Sequence, residues 1–289
     1  MCSSDLYAYT GVRGYHPLLA SLAGTGEVVH SRLRGGNAHT ARGAPSFLTE
    51  TFARLRKAGA SGSLTLRADS GFYQSGVVAA CRRAQVRFSI TVRLQHNLRQ
   101  LIEAIPEDHW QTIPYWQDGG AQVAETVYYP FRQKQPLRLI ALRVSPPSGR
   151  QARLFPRYSY HAFITDREGD TLALEADHRR HAEVEQVVRD LKYGVGLNHL
   201  PSGRFAANAA WLALNVMAHN LGRWLLRICL PGEPAITTPT LRRRHLCLPG
   251  RLTRSARRWT LHLPRHWPWQ GAFLAMLERL RAIPPPLHT

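Results

Sequence analysis

Residues 64–73 read Leu-Thr-Leu-Arg-Ala-Asp-Ser-Gly-Phe-Tyr. Alternating apolar residues followed by a Ser-Gly turn predict a short strand that ends at Asp69. Loops at the carboxyl edge of the sheet are where α/β folds place binding and catalytic residues. Asp69 is therefore a candidate catalytic carboxylate, and the alternative is an aspartate that only caps the following turn.

The segments on either side of this strand alternate between the two regular structures. Apolar runs separated by Ala-Gly-Thr-Gly predict a β-hairpin upstream, and periodic apolar residues predict helices, the first of them capped by Ser46. The predicted elements are hairpin strands within 14–23 and 27–33, helices at 46–57, 76–85 and 98–105, and a strand at 86–94. This alternation is typical of an α/β core.

The pattern changes after about residue 110. Alternating runs and turn signals, without a convincing helix, predict a β-rich segment there, and helical periodicity returns at 174–193, 205–230 and 271–282. We therefore predict four consecutive parts. They are 1–109, the first part of an α/β core; 110–159, a β-rich insertion; 160–230, the second part of the core; and 231–289, a helical, basic C-terminal region.

The charge of the chain points to a polyanionic partner. Lys and Arg number 38 against 19 Asp and Glu, which gives a formal charge of +19 and a pI of about 10.9. Such an excess disfavours an ordinary metabolic enzyme and favours nucleic acid first and an anionic membrane second. The 44% of hydrophobic residues excludes a wholly disordered chain.

Several other classes are excluded by pattern. The most apolar stretch, 205–230, contains too many Asn, His and Arg residues for a membrane span. The four cysteines show no zinc-site spacing, and the first residues show no signal peptide. We expect an intracellular protein with no membrane partner and no structural zinc.

A second candidate carboxylate lies on the predicted helix at 174–193. Glu185 and Lys192 are seven residues apart and therefore share a helix face. Val184, Val187, Val188 and Leu191 form an adjacent apolar stripe. The alternative is an ordinary surface helix in which Glu185 pairs with Arg189 one turn later.

Together, residues 65–73, Glu185 and Lys192 resemble the bacterial insertion-sequence transposases of the DDE class, and in particular the insertion sequence 1380 type. Residues 9–20, 33–39 and 254–264 also resemble that type, so the resemblance extends over nearly the whole chain from about Tyr7. It implies a ribonuclease-H-like core interrupted by a β-rich insertion. It also implies metal-dependent DNA strand cleavage and strand transfer at insertion-sequence ends.

The resemblance assigns roles to the two carboxylates. It makes Asp69 the second and Glu185 the third of three acids that hold two Mg²⁺ ions, for which Mn²⁺ can substitute. Such ions activate water or a DNA 3′-hydroxyl and stabilise the attacking and leaving oxygens of the displacement. Glu183 is a rival for the third position, but it lacks the seven-residue spacing to Lys192.

The same resemblance implies contacts with double-stranded DNA, both the terminal inverted repeats and the target. Lys192 is expected to bind a phosphate of the DNA end. His178 and His181 stand where the family has a tyrosine and an arginine, so the arginine's contact is either lost or taken over by Arg180. The basic strip 242–258 is expected to follow DNA phosphates. The DNA-binding candidates are Arg180, Arg189, Lys192, Arg242, Arg243, Arg244, Arg257 and Arg258. A homodimer on DNA is compatible with this resemblance.

The start of the chain departs from the family. The family's first aspartate lies on a strand upstream of the segment matched at 9–20, and only eight residues precede that segment here. Asp5 is the only acid among them, and no strand pattern surrounds it. We expect an N-terminally truncated transposase, located in the bacterial cytoplasm with the nucleoid, that lacks one metal ligand and cannot cleave DNA by itself.

Two alternatives for the function remain. One is a non-catalytic DNA-binding protein that competes with the full-length enzyme for its ends or assembles with it. The other is a metal-dependent nuclease unrelated to transposition, which would cleave without preference for repeat ends.

Overall fold

A computed structural model describes residues 14–116, 120–132, 134–145, 158–232 and 236–284. The strands are β1 (Leu18–Ser21), β2 (Val28–Arg32), β3 (Thr65–Ala68), β4 (Arg87–Thr91), β5 (Gln111–Thr112), β6 (Ala121–Tyr128), β7 (Leu137–Val144), β8 (Ser159–Thr165), β9 (Arg251–Ser255) and β10 (Arg258–His262). The α-helices are α1 (Ala44–Lys57), α2 (Ser75–Arg83), α3 (His96–Glu103), α4 (Thr171–Arg179), α5 (Glu183–Gly194), α6 (Phe205–Cys229), α7 (Thr238–Leu241) and α8 (Gln270–Arg281).

These elements form two compact units. The larger unit is formed by residues 36–182, and the smaller unit combines 14–35 with the part of the chain after residue 182. This division differs from the four consecutive parts predicted from the sequence. The difference arises because the N-terminal hairpin packs with helices that are remote from it in the chain.

The larger unit is built on one mixed sheet of six strands, in the order β3-β4-β8-β7-β6-β5. Strands β3 and β4 are parallel and are joined through α2, while every other pair is antiparallel. The predicted α/β class is thus confirmed. The strands β5, β6 and β7, from the segment predicted as an insertion, continue the sheet that contains β3 and β4.

The core of the larger unit lies along the central strands of this sheet. Its fully buried side chains include Phe88, Ile90, Leu139, Ile140 and Ile164, each of which contributes about 1.5–3 kcal/mol by leaving water. The apolar faces of α1 and α2 are also buried. Strand β3 forms one edge of the sheet, which places its carboxyl end and Asp69 at the unit's surface.

The first helix begins two residues earlier than the sequence predicts. Gly43, with φ +74°, precedes α1, and Pro45 occupies its first turn. Ser46 is therefore inside the helix and is not its cap, and its hydroxyl donates to the Gly43 carbonyl at 3.0 Å.

In the smaller unit the hairpin β1–β2 packs on α5 and α6. Val28 of β2 lies in one cluster with Val187 and Leu191 of α5, as the predicted hairpin and the predicted apolar stripe require. The Asn220 side chain accepts from the Val28 N–H and donates to the Val28 carbonyl, both at 2.9 Å. It thereby satisfies both backbone hydrogen-bonding groups of Val28. No helix in the described part of the chain is long and apolar enough to cross a membrane.

The helix predicted at 174–193 is two helices. Helix α4 ends at Arg179, a single 3₁₀ turn spans Arg180–Ala182, and α5 starts at Glu183. The acidic residues Glu183 and Glu185 stand in the first turn of α5, where the helix dipole favours negative charge. The boundary between the two compact units coincides with this break.

The C-terminal region is less helical than predicted. Between α7 and α8 the chain forms a π-helical turn at Arg242–Leu246 and then the antiparallel hairpin β9–β10. The hairpin escapes sequence patterns because its two-residue turn is Ala256-Arg257, which lacks the usual Asn or Gly.

Candidate active site

Asp69 follows β3 directly and is exposed. Its Oδ1 accepts a hydrogen bond from the Gly71 N–H at 2.8 Å and so caps a 3₁₀ turn over Ser70–Phe72. Its second oxygen accepts no hydrogen bond from any residue that the structure describes. The turn-capping role is therefore real, and it still leaves half of the carboxylate available to a ligand.

Gly71 makes this loop possible because a side chain does not fit there. A Cβ atom at this position would lie 2.6 Å from Thr40 Cγ2 and 3.0 Å from Asp69 Oδ1. Real Cβ atoms do not approach other atoms so closely, so the Asp69 loop lies against Thr40 only with glycine. The tight loop fixes the direction of the carboxylate.

A recess of about 390 Å³ adjoins the Asp69 loop, with Ser70 and Gly71 in its wall. The Tyr73 and Tyr128 hydroxyls, 3.1 Å apart, share a hydrogen bond at its side. Burial and this hydrogen bond raise the pKa of Tyr73, so its phenol stays protonated. The recess beside Asp69 therefore has a wall of mixed polar and apolar side chains, with Arg93 as its cation.

Glu185 stands in the first turn of α5 and is exposed. None of the residues in the described ranges forms a hydrogen bond or ion pair with its carboxylate, and the alternative pair with Arg189 is not formed. Its rival Glu183 is half-buried and accepts from the Gly24 N–H at 3.1 Å, which ties it to the β1–β2 loop. Glu185 is the more available of the two acids.

Helix α5 is held in place by a buried carboxylate on its opposite side. Asp190 accepts hydrogen bonds from the Thr238 N–H at 2.8 Å and the Thr238 hydroxyl at 2.7 Å. The His219 Nδ1 lies 3.2 Å from Asp190 Oδ2, and an Arg223 nitrogen lies 3.8 Å from the same oxygen. This cluster connects α5, α6 and α7.

The charge of Asp190 is stabilised where it lies. Burial alone would raise the pKa of this carboxyl, but the contact with His219 and the hydrogen bonds from Thr238 outweigh burial and lower it. His219 is fully buried, and its Nε2 is 2.9 Å from the Gly26 carbonyl oxygen. The cluster therefore also fixes the β1–β2 loop beside the start of α5.

Sequence reasoning did not single out Asp190, although a signal was present. Asp190 lies three residues after Val187 and next to Leu191, on the helix face that is otherwise apolar. A lone acid in an apolar stripe indicates a buried, paired carboxylate.

A sequence model of the family described as transposase DDE domain group 1 matches residues 3–285. The chain belongs to this family of DDE transposases.

Solved structures agree on the fold of this DDE transposase chain. It is similar to the piggyBac transposase in a cryo-EM structure of a synaptic complex with hairpin DNA, with a TM-score of 0.50 and 11% sequence identity. The match covers 84% of this chain and 48% of the other, so the chain spans about half the length of that protein. No curated protein matches the chain.

The two predicted carboxylates of this transposase chain belong to different units. Asp69 is part of the larger unit, whereas Glu185 and Lys192 lie two turns apart on α5 in the smaller one. Within the described ranges, no group of three or more His, Cys, Asp or Glu side chains is placed to hold a metal ion.

His178, in the position of the family's tyrosine, contributes to the interior of the larger unit. Its Nδ1 is 2.7 Å from the Ser89 hydroxyl, its Nε2 is 3.0 Å from the Thr91 hydroxyl, and its ring stacks on Phe163 at 4.0 Å. Burial, followed by the nearby positive charge of His181, lowers the pKa of His178 to about 4. His178 is therefore neutral at pH 7 and belongs to α4, separate from the Glu185 helix.

The DNA-binding candidates differ in availability. Arg244 is half-buried, and its guanidinium lies 5.1 Å from the centre of the Trp269 ring. The other candidates are exposed, namely Arg180, Arg189, Lys192, Arg242, Arg243, Arg257 and Arg258. Most of the predicted cations are thus at the surface, and all except Arg180 belong to the smaller unit.

Proposed function

We propose that this chain acts as a DDE transposase that cleaves and transfers DNA strands at the ends of an insertion sequence, through a ribonuclease-H-like core. The observation that carries this proposal is the family match over residues 3–285. The fold likeness to piggyBac transposase, whose structure contains hairpin DNA, supports duplex DNA as the partner. The formal charge of +19 agrees with a polyanionic substrate.

We assign the metal-binding role to Asp69 and Glu185. Both carboxylates are exposed, Asp69 retains one unbonded oxygen, and Glu185 retains two. Such hard oxygen donors suit Mg²⁺, and Mn²⁺ accepts the same ligands. Two such ions, when bound, neutralise the charge that develops on the attacking and leaving oxygens of a phosphodiester.

Phosphate contacts complete the proposal. Lys192 shares a helix face with Glu185 and would hold a phosphate of the DNA end. The exposed arginines would bind further phosphates, namely Arg180, Arg189, Arg242, Arg243, Arg257 and Arg258. Arg244 would contribute less, because its guanidinium already contacts Trp269. Assembly as a homodimer on DNA is part of this proposal.

A nicking assay tests the catalytic role. The purified 289-residue chain is incubated with a supercoiled plasmid that carries both terminal inverted repeats, in Mg²⁺ or Mn²⁺. We expect nicking at the repeat ends, contrary to the expectation from the sequence that the chain cannot cleave DNA by itself, and we expect Asp69→Asn and Glu185→Gln to reduce it to background. The matched control is Glu103→Gln, which removes an exposed acid that only pairs with Arg99 on the surface of α3. Equal loss in the control would contradict the site assignment.

A second measurement does not depend on turnover. Binding of Mn²⁺ to the chain, followed by electron paramagnetic resonance, should weaken in Asp69→Asn and in Glu185→Gln but not in Glu103→Gln. Affinity for duplex DNA should stay within about twofold in all three variants, since each replaced acid is not a phosphate contact.

A non-catalytic DNA-binding protein is the second candidate function. The observation in its favour is that the described residues contain no three-residue metal-ligand group. Such a protein would bind the repeat ends without nicking them in either metal ion, and would compete with a complete transposase or assemble with it. Specific binding without any cleavage would select this function over the first.

A further inference from the structure

We propose that the hairpin β9–β10 is a DNA-binding ribbon that enters the major groove of the duplex. This inference depends on the proposed function only in taking duplex DNA as the partner. The two strands pair in register from Arg251↔His262 to Ser255↔Arg258. Of the ten strand residues, only Thr253 is half-buried, and the other nine are exposed.

The exposure of this hairpin includes its large apolar side chains. Leu252 and Leu261 are each 59% exposed, and Trp259 is 60% exposed. An isolated two-stranded hairpin is marginally stable in water, and clustered apolar surface marks interaction sites. The exposed apolar side chains of this hairpin therefore indicate that it binds a partner.

The chemistry of both faces identifies that partner. One face carries the cross-strand pairs Leu252↔Leu261 and Arg254↔Trp259, with the Arg254 guanidinium 5.3 Å from the centre of the Trp259 ring. The opposite face carries Arg251 and Arg258. The sequence contains no acid between residues 234 and 277. Cations thus point to both sides of the ribbon, and no anion of this segment neutralises them.

The turn places a further cation at the tip. Ala256 has φ +47° and Arg257 has φ +66°, so both residues adopt the left-handed conformation that type I′ hairpin turns require. This conformation costs about 1 kcal/mol for each non-glycine residue, and strained positions of this kind cluster at binding sites. An arginine at the tip would be the first group of the ribbon to reach the floor of a groove.

The dimensions and the charge distribution favour a groove over a flat surface. The major groove of B-DNA admits a two-stranded β-ribbon, and its walls present phosphates on both sides. An anionic membrane would take up the apolar face and leave Arg251 and Arg258 directed away from it. Arginine is also the commonest side chain that reads guanine in this groove.

Fluorescence anisotropy with the full chain and a labelled 30-base-pair duplex tests the ribbon, over a series of KCl concentrations. We expect Arg254→Ala/Arg258→Ala to weaken binding by about 10- to 100-fold at 0.1 M KCl. The slope of log K against log salt should fall by about two, at roughly 0.9 for each lost phosphate contact. The matched control, Lys57→Ala/Arg83→Ala, removes two exposed cations of the larger unit and should change the affinity by less than about threefold.

A turn variant separates loss of contact from loss of folding. Ala256→Asn/Arg257→Gly installs the residues that type I′ turns prefer, so the hairpin becomes more stable while the tip loses its charge. We expect weaker DNA binding, by about 3- to 10-fold. Unchanged affinity in this variant and in Arg254→Ala/Arg258→Ala would overturn the inference.

Competitors identify the surface that the ribbon binds. We expect methyl green, a major-groove ligand, to reduce binding of the wild-type chain more than distamycin, a minor-groove ligand. Preference for distamycin competition, or hairpin-dependent binding to anionic phospholipid vesicles stronger than to the duplex, would overturn the proposal. A wild-type chain that binds the duplex but does not nick it would contradict the catalytic assignment alone, and unchanged DNA affinity in the hairpin variants would contradict the ribbon alone.

Discussion

The two carboxylates proposed as metal ligands are positioned by opposite means. Asp69 is fixed by its own neighbours, since the Gly71 N–H binds its Oδ1 and Gly71 lets the loop lie against Thr40. Glu185 has no such local support, and its position depends on how α5 is packed. One surface carboxylate is thus placed by a short loop, and the other by a buried network behind its helix.

The buried network behind Glu185 contributes more to the free energy of unfolding than the loop at Asp69 does. Asp190 is 4% exposed and is bound by Thr238 and His219, so its removal would leave buried donors without an acceptor. The Asp69 cap is exposed, and a lost cap of this kind costs about 1 kcal/mol. Asp190, which supports α5, should therefore matter more for stability than Asp69, which is proposed to bind a metal ion.

The largest expected effect is that of Asp190→Ala. We expect the free energy of unfolding to fall by about 3–5 kcal/mol, because the buried acceptor of the Thr238 donors and of Arg223 is removed. Asp69→Ala should cost about 1 kcal/mol or less. Urea denaturation followed by circular dichroism measures both changes. Similar losses in the two variants would show that the Asp190 cluster does not stabilise α5.

The next largest losses of stability are expected for two glycine variants, one beside Asp190 and one beside Asp69. In Gly194→Ala the new Cβ would lie 2.6 Å from Asp190 Oδ1 and 3.0 Å from Thr238 Cβ, so we expect a loss of about 2–3 kcal/mol. In Gly71→Ala the obstacle is the half-exposed Thr40, and a loss of about 1–2 kcal/mol is expected.

Matched controls exist for both glycine variants. A Cβ atom at Gly203 in the smaller unit or at Gly62 in the larger one meets no atom within 4 Å. Alanine at either position should change stability by no more than about 0.5 kcal/mol. In addition, Thr40→Ser should restore part of the stability lost in Gly71→Ala, because it removes the methyl group in the way. A Gly71→Ala variant as stable as Gly62→Ala would contradict the close approach.

A further expected effect is a difference in pH dependence between the units. His178 in the larger unit is neutral, and its pKa is lowered to about 4. As the pH falls, the unfolded chain protonates this histidine before the folded chain does. The stability that neutral His178 contributes is therefore complete above about pH 6.5 and is lost as the pH falls toward 4. We expect a loss of about 2 kcal/mol over this range. Asp190, whose pKa is lowered, contributes above its unfolded pKa near 3.9 and loses this contribution only at still lower pH.

Urea titrations at pH 7.5, 5.5 and 4.5 measure this difference. The variant His178→Gln keeps a hydrogen-bonding side chain but does not titrate, so its stability should change less between pH 7.5 and 4.5. The control His109→Gln replaces a histidine in the exposed 3₁₀ turn before β5 and should keep the wild-type pH dependence. An unchanged pH dependence in His178→Gln would show that another group causes the loss.

Local patterns predicted the elements whose signals lie within a few residues. The strand that delivers Asp69, the hairpin β1–β2 and the apolar stripe of α5 all follow from periodicity and turn residues. The break at Arg180–Ala182 was not predictable in this way, because helical periodicity continues through it. The hairpin β9–β10 was missed because Ala256-Arg257 carries no turn signature.

The candidate site shows the same limit. The sequence and its resemblance to a family selected Asp69, Glu185 and Lys192, but they did not identify Asp190 as the residue that supports α5. A hydrogen-bonded carboxylate in the interior is defined by partners such as His219 and Thr238, which are remote in the chain. Likewise, the stacking of Arg244 on Trp269 separates it from the neighbouring arginines only once the fold is known.

The sequence by itself determined the family, the α/β class and the strongly basic character, and it selected Asp69 and Glu185 as candidate carboxylates. These properties depend on residue types and on spacings of a few residues, which can be read from the sequence. Only the tertiary structure decided which charged side chains are exposed and which are buried or paired. It also decided where the helix before Glu185 breaks and that C-terminal arginines lie on the hairpin β9–β10. Those properties depend on burial and on contacts between distant residues, and the free energy of a charge depends strongly on both.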